Sequence, residues 1–308
     1  MEKRKIHDLV IIGAGPAGLS ASVYASRYGI DNVIAGEISG GLTTETHEIG
    51  NWLGTEKITG FEFATNAANH AKNLGAEIKN LSVDQVTKKD ELFDLLLSDG
   101  NTLNSKSILL AMGTKHRHLG VPGEKEFAGK GVSFCATCDG FFYRDKTVAV
   151  IGGSDSAASA AVYLSNIAKK VYIIYRGEEL RAETFWKRSI EDSSKIEVIY
   201  STNVKEIYGG DKLEGVILDF PRDGSDKLEL DGLFIEIGLT PSTDIITDLG
   251  VDLDDEGYIK VEPDGRTSVV GVWAAGDITS GSNKFKQIVT AASEGAIATN
   301  GIQAYLQR

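Results

Sequence analysis

One order of residues, used twice, restricts this chain more than any other feature. Leu9-Val10-Ile11-Ile12 runs into Gly13-Ala14-Gly15-Pro16-Ala17-Gly18 and then into LSASVYASRYG. The apolar run has no polar alternation, so a strand there is covered on both faces, as in a parallel sheet. Ala17, Ala21 and Ala25 recur every four residues and give the following helix one smooth face toward the sheet. In such a unit the first glycine permits the turn, the second lets a pyrophosphate reach the backbone, and the third lets helix and strand pack closely. The phosphate then lies on the helix N-terminus. Glu37, 24 residues beyond Gly13 and just after Asn32-Val33-Ile34-Ala35, is placed to accept hydrogen bonds from a ribose.

The second copy begins at Val148-Ala149-Val150-Ile151 and continues through Gly152-Gly153-Ser154-Asp155-Ser156-Ala157 into the alanine-rich AASAAVYLSNIA. After the next apolar run, Val171-Tyr172-Ile173-Ile174-Tyr175, the position equivalent to Glu37 is Arg176, with Arg181 five residues on. Arginine there accommodates a 2'-phosphate, so the second loop reads as an NADP site and the first as a site for a ribose with a free hydroxyl. Ser154 stands where a glycine would approach the pyrophosphate, and its hydroxyl is available to the phosphate. Gly152, Ser154, Asp155, Ser156, Arg176 and Arg181 are the expected nucleotide contacts. Two dinucleotide sites in one chain imply an electron relay.

Between the two loops lies SFCATCDG, which holds both cysteines, Cys135 and Cys138, of the 308 residues. A pair at C-x-x-C spacing suggests redox chemistry or metal binding in a cytosolic setting. A helix beginning there lowers thiol pKa values through its N-terminal amides. Asp139, being an anion, opposes a thiolate and fits better as the proton carrier of disulfide opening and closing. A zinc site with His116 and His118 is the rival, but that spacing matches no familiar finger, and no metal is expected.

With 44 acidic against 32 basic side chains the net charge is -12, which argues against nucleic-acid and anionic-membrane partners. No apolar run approaches a membrane span and the start lacks a signal-peptide pattern, so a cytoplasmic location is expected.

GAGPAG, GGLTTETHEIGNWLG (residues 40–54), CATCDGFFYR, IGGSDSA, YRGEELRAE and AAGDIT followed by KQIVTAASEGAIA, taken in order, resemble the low-molecular-weight thioredoxin reductase family through nearly the whole chain. The resemblance implies an α/β fold of two Rossmann-like nucleotide-binding domains. An FAD domain is split in sequence (1–114 and 245–308), and an NADPH domain carrying the C-x-x-C pair is inserted at 115–244, hinged near Gly113-Thr114-Lys115 and Gly238-Leu239-Thr240-Pro241. It implies a homodimer that reduces thioredoxin. Gly13, Gly15, Pro16, Ala17, Gly18 and Glu37 would hold FAD at its pyrophosphate and ribose. Gly40, Gly41, Leu42, Asn51 and Gly113 would line the flavin region, Gly276 and Asp277 would meet the ribityl and phosphate portion, and Lys286, Gln287 and Ile288 would lie by the ring. Cys138 would face the flavin and Cys135 attack the substrate, with Phe141 and Phe142 either docking thioredoxin or packed in the core. Leu42, Met112 and Ser154 depart from the family pattern. Gly177 replaces one arginine of H-R-R-x-x-x-R-A, which leaves two readings of the donor: NADPH, or NADH or a non-nicotinamide donor in a related flavin disulfide reductase. A flavin- or zinc-binding regulator without turnover is the reading from another class.

Overall fold

The computed structural model describes residues 5–45, 49–222 and 224–307, apart from the side chains of Glu45, Cys138 and Arg222. Residues 46–48 of the GGLTTETHEIGNWLG segment lie outside these. The chain divides into two compact units, Met1–Lys115 with Thr240–Arg308, and His116–Leu239. Among the described residues, no helix is long and apolar enough to cross a membrane.

The first unit begins with β1 (Ile6–Ile12), α1 (Pro16–Arg27), β2 (Asn32–Ala35), α2 (Gly60–Asn73), β3 (Glu77–Lys79), β4 (Val83–Lys89), β5 (Leu92–Leu97) and β6 (Thr102–Leu110). Its sheet runs β3-β2-β1-β6-β5-β4. β1 is parallel to both neighbours, β2 and β6, while β5 joins β6 and β4 antiparallel. The uninterrupted apolar run of β1 follows from this position. Leu9 and Ile11 pack into one core layer with Ala17, Ala21 and Ala25 of α1. Val10 and Ile12 pack into the opposite layer with Val86, Phe93 and Leu95. Both sets are buried, and each Val, Leu, Ile or Phe among them stabilises the fold by about 1.5–3 kcal/mol.

The second unit follows a crossing at β7 (Thr114–His116). It contains β8 (Val132–Ser133), α3 (Ala136–Asp139), β9 (Thr147–Ile151), α4 (Asp155–Ser165), β10 (Lys170–Ile174), α5 (Thr184–Glu191), β11 (Ile196–Ile199), β12 (Val204–Gly209), β13 (Leu213–Arg222), β14 (Ser225–Glu229) and β15 (Gly232–Ile235). The parallel sheet is ordered β11-β10-β9-β15-β8, and β12, β13 and β14 form a separate antiparallel sheet. After β16 (Leu239–Pro241) the chain completes the first unit with β17 (Val272–Ala274), parallel to β6, and α6 (Ile288–Leu306).

α6 packs on α1 with almost no space between the helices. A Cβ on Gly295 would lie 2.1 Å from the carbonyl oxygen of Ala17. The Ser20 hydroxyl donates to the Ala292 carbonyl at 2.7 Å, and the buried Thr299 hydroxyl donates to that of Ala21 at 3.2 Å. Gly295→Ala must therefore push the two helices apart. It is expected to lower stability by about 1–3 kcal/mol, read as a fall in the urea midpoint with an unchanged slope.

Candidate functional site

The first glycine loop is built by close backbone contacts. Gly13 has φ +110°, and a Cβ there would stand 2.2 Å from the Ala111 carbonyl oxygen, just beyond β6. At Gly18 a Cβ would stand 2.0 Å from the carbonyl oxygen of Gly13, so the helix lies directly on the turn. Gly15 differs, because nothing lies within 4 Å of where its Cβ would be. It caps α1 without a side-chain hydrogen bond, Pro16 follows, and the first turn carries no acid. Free amides at the positive end of a 12-residue helix, facing open space, suit the pyrophosphate expected here. Glu37 is exposed just beyond β2, at the same edge.

The same unit gathers the other expected flavin residues. The Gly40 amide donates to the Ala14 carbonyl at 2.7 Å, and a Cβ on Gly41 would lie 3.5 Å from Gly15 Cα. Leu42 follows, half-buried. Gly113, with φ +63°, lies just beyond Ala111. From the far end of the sequence, Gly276 comes against α1, where its Cβ would meet that of Ala17 at 2.9 Å. Glu294 fixes this turn: its carboxylate accepts from the Gly276 amide at 2.7 Å, the Thr279 hydroxyl at 3.1 Å and the Ser282 hydroxyl at 2.5 Å. Burial pushes the neighbouring Asp277 up to about 6, opposed by Lys286 and assisted by Glu294. Asp277, Lys286 and Glu294 line one small pocket. The Lys286 ammonium donates to the Tyr258 hydroxyl and sits 4.0 Å from the centre of its ring. Asn51 Nδ2 donates to Gln287 Oε1 at 2.9 Å. Gln287 also caps α6 through a capping box with Thr290, so Ile288 opens that helix. Glu294 and Tyr258 were not singled out in the sequence, since no local pattern marks a contact made from a helix 18 residues away.

In the second unit Cys135 is disulfide-bonded, and the side chain of Cys138 lies outside the described residues. Cys135 immediately precedes the one-turn helix α3, which opens at Ala136 just after β8 and contains the backbone of Cys138. The Ser133 hydroxyl accepts from the Cys135 amide at 3.1 Å, the Asp139 amide donates to the Cys135 carbonyl at 3.2 Å, and the Thr137 hydroxyl is 3.4 Å from the Cys135 sulfur. The half-buried Asp139 begins the next turn, on which Phe141 and Phe142 are well exposed, so they are not core residues. The rings of His116 and His118 both pack on Phe134, and His118 faces the buried Glu124 at 3.1 Å. Among the described residues no group of His, Cys, Asp and Glu is arranged to hold a metal.

The second glycine loop repeats the first with its bulk redistributed. Gly152 has φ +144°, and its Cβ would stand 2.3 Å from the Glu236 carbonyl oxygen, beyond β15. Ser154 caps α4 with its hydroxyl making no cap bond, and Asp155 and Ser156 follow, exposed. The Asp155 carboxylate accepts from the Glu183 amide at 2.7 Å, and the Arg181 amide donates to the Gly153 carbonyl at 2.7 Å, which ties the 181–183 segment to the loop. Arg176 and Arg181 are exposed there. Tyr175 is buried, with its ring 2.4 Å from where a Gly153 Cβ would be and 2.6 Å from where a Gly177 Cβ would be. The ring needs a glycine on each side. Glu179 is paired with Lys187 at 2.6 Å, so its charge is largely answered. The helix terminus and two arginines fit the diphosphate and 2'-phosphate of the expected nucleotide.

Residues 7–295 match the model of the pyridine nucleotide-disulphide oxidoreductase family. A thioredoxin reductase of Listeria monocytogenes is 38% identical over 99% of this chain and 95% of its own length. Among solved structures, the thioredoxin reductase of T. acidophilum is 40% identical with a TM-score of 0.80, covering 99% of this chain and 100% of that one. That of Lactococcus lactis is 34% identical with a TM-score of 0.81, covering 98% and 99%. The chain belongs to this oxidoreductase family and, within it, to the low-molecular-weight thioredoxin reductases.

Asp277 sets a pH dependence of stability. Its folded pKa of about 6 lies above the ordinary 3.8, so its stabilising contribution is complete below about pH 4 and is lost as pH rises through 6. Asp277→Asn is expected to remove that fall. Unfolding free energies of the FAD-free wild type and variant, from denaturant titrations at pH 4 and pH 7, should differ by no more than about 3 kcal/mol, in favour of the variant at the higher pH.

Proposed function

We propose that this chain is a thioredoxin-disulfide reductase that takes electrons from NADPH, holds FAD in its first unit, and delivers the electrons to thioredoxin through Cys135 and Cys138. The observation that carries the reading is the disulfide-bonded Cys135, immediately before a one-turn helix in the same unit as a glycine loop flanked by two exposed arginines. When bound, the nicotinamide and the flavin supply two-electron chemistry, and the residues of the chain do the rest. Gly13, Gly15, Pro16, Ala17 and Gly18 present helix amides to the FAD pyrophosphate. Glu37 takes the ribose, while Gly276, Asp277, Lys286, Gln287 and Asn51 complete the flavin side. Gly152, Ser154, Asp155, Ser156, Arg176 and Arg181 take the nucleotide.

Exchange with thioredoxin belongs to the cysteine turn. Cys135 attacks, Cys138 resolves the mixed disulfide, and Asp139 carries a proton. The exposed Phe141 and Phe142 meet edge to face at 6.4 Å, and the Arg144 guanidinium lies 5.6 Å from the Phe141 ring. Exposed aromatics backed by a cation beside the reactive sulfur suit a protein substrate. Assembly as a homodimer and a cytoplasmic location are part of the same reading.

Anaerobic titration of the FAD-bound protein with NADPH and NADH, followed by addition of oxidised thioredoxin, tests the whole sequence of transfers. Cys138→Ser is expected to keep FAD and lose thioredoxin reduction entirely; wild-type turnover in that variant would remove the pair from the reaction.

For the donor, Arg181→Ala should raise KM for NADPH about ten-fold or more and leave that for NADH nearly unchanged, since only NADPH carries the phosphate that Arg181 would meet. Restoring the third arginine needs two changes, because a side chain at position 177 collides with the ring of Tyr175. Gly177→Arg alone should destabilise the second unit, whereas Tyr175→His with Gly177→Arg should lower KM for NADPH. A flavin reduced by a one-electron donor but by neither nucleotide would replace NADPH with the alternative donor.

A further inference from the structure

Glu236 has no part in the reaction as described, yet the fold sets it against the cysteine turn. β8, β15 and β9 are adjacent and parallel, with β15 in the middle. Phe234 is level with Ser133 on one side and with Val150 on the other. Two residues further along each chain segment, just past the last paired positions, stand Cys135, Glu236 and Gly152. This is the edge at which parallel α/β sheets carry their ligands.

Contacts agree with the register. The Glu236 amide donates to the Ile151 carbonyl at 2.9 Å, and its own carbonyl closes over Gly152. The backbone amide of Ala136, the residue after Cys135, faces the Glu236 carboxylate and favours its charged form. The side chain is half-buried, and burial pushes it up to about 7, opposed by the Ala136 amide and by His116 of β7. Asp139 of the cysteine turn and Asp231 are the other acids of this region, and both add to the burial that pushes the Tyr143 phenol up. The first unit has the apolar Ala111 where the second has Glu236, each residue closing over the first glycine of its loop. Closing the loop thus requires the backbone at this position and not the acid.

We propose that Glu236 is a proton-holding residue for the dithiol, sharing one negative charge with the Cys135 sulfur so that a proton is held beside the attacking thiolate. The proposal rests on the reading of Cys135 and Cys138 as the redox pair. Two electrons break the sulfur–sulfur bond and leave two anionic sulfurs, which are neutralised by protons. A thiolate at Cys135 and a carboxylate at Glu236 disfavour each other, so ionisation of the sulfur draws a proton onto the carboxyl. When Cys135 attacks a substrate disulfide, a new sulfur–sulfur bond forms to Cys135 and the substrate's other sulfur leaves as a thiolate. With the charge gone from Cys135, Glu236 ionises and its proton is available to that leaving sulfur. Thiol and carboxyl then titrate as a pair, in two macroscopic steps.

The FAD-bound full chain carrying Cys138→Ser presents Cys135 as its only thiol, and its alkylation by iodoacetamide can be followed from about pH 5 to pH 10. The rate should rise in two steps. With Glu236→Gln added it should rise in one and be about ten-fold faster near pH 8, since a like-charged neighbour is worth about one pKa unit or more. Glu236→Asp should restore the two steps. In the wild type near pH 8, reduction by dithiothreitol should bring up the infrared absorption of a protonated carboxyl, absent from Glu236→Gln. Coincident alkylation profiles with and without the carboxyl, or an infrared band that survives Glu236→Gln, would overturn the proposal. Counting the thiols that dithiothreitol releases in the wild type checks the redox pair separately: two thiols leave that reading intact whatever the fate of Glu236.

Discussion

Backbone lying directly on backbone, at one place in each unit, is the contact on which the rest of the molecule depends. Gly13 and Gly152 hold positive φ values of +110° and +144°. Each leaves only about 2 Å between the site of its missing Cβ and a carbonyl oxygen at the end of a neighbouring parallel strand, Ala111 or Glu236. No other residue supplies both the conformation and the absence of volume. That contact sets the turn from β1 into α1 and from β9 into α4, and so fixes where each helix N-terminus points. The strands on either side then deliver their own ends to the same edge, which is how Glu37, Arg176 and the cysteine turn reach it.

Much of this was legible in the sequence because it is local. The order of apolar run, glycine turn and small-residue helix is written in consecutive residues, and the physical demands of the turn translate directly into glycine. The opposed signs of Glu37 and Arg176 were readable for the same reason: each follows its strand at a fixed offset. What was not legible arises from pairings distant in the chain. Glu294 bonds Gly276 from within α6, and Tyr175 needs the absence of a side chain at both Gly153 and Gly177. The antiparallel β4 and β5, which extend the first sheet and supply Val86, Phe93 and Leu95 to its second core layer, gave no signal in the glycine motif at all.

Comparing the two copies shows how the same turn tolerates different filling. In the first unit Ala14 meets Gly36, whereas in the second Gly153 meets Tyr175. The small and large partners have changed places and the loop path survives. Ser154, where the first copy has the open Gly15, is the clearest local difference at the helix cap, and Leu109-Leu110-Ala111-Met112-Gly113 against Phe234-Ile235-Glu236-Ile237-Gly238 is the clearest at the strand end. Setting those segments side by side exposes one acid in an otherwise apolar series, a signal the sequence contained but that is visible only once the repeat is taken seriously to its last strand.

The division of the first unit between the two ends of the chain has a consequence for biosynthesis. α1, which carries the first glycine loop, packs against α6, and α6 ends two residues before the last one. Everything in His116–Leu239 is contiguous, so that unit has all its residues once Leu239 has left the ribosome. The earlier-synthesised half of the first unit must wait, with one face of α1 bare, until some 50 to 70 further residues emerge, about 3–14 s at ordinary elongation rates. Nascent chains stalled before α6 would thus show a protease-resistant middle flanked by a cleavable beginning, the reverse of the order in which the residues were made.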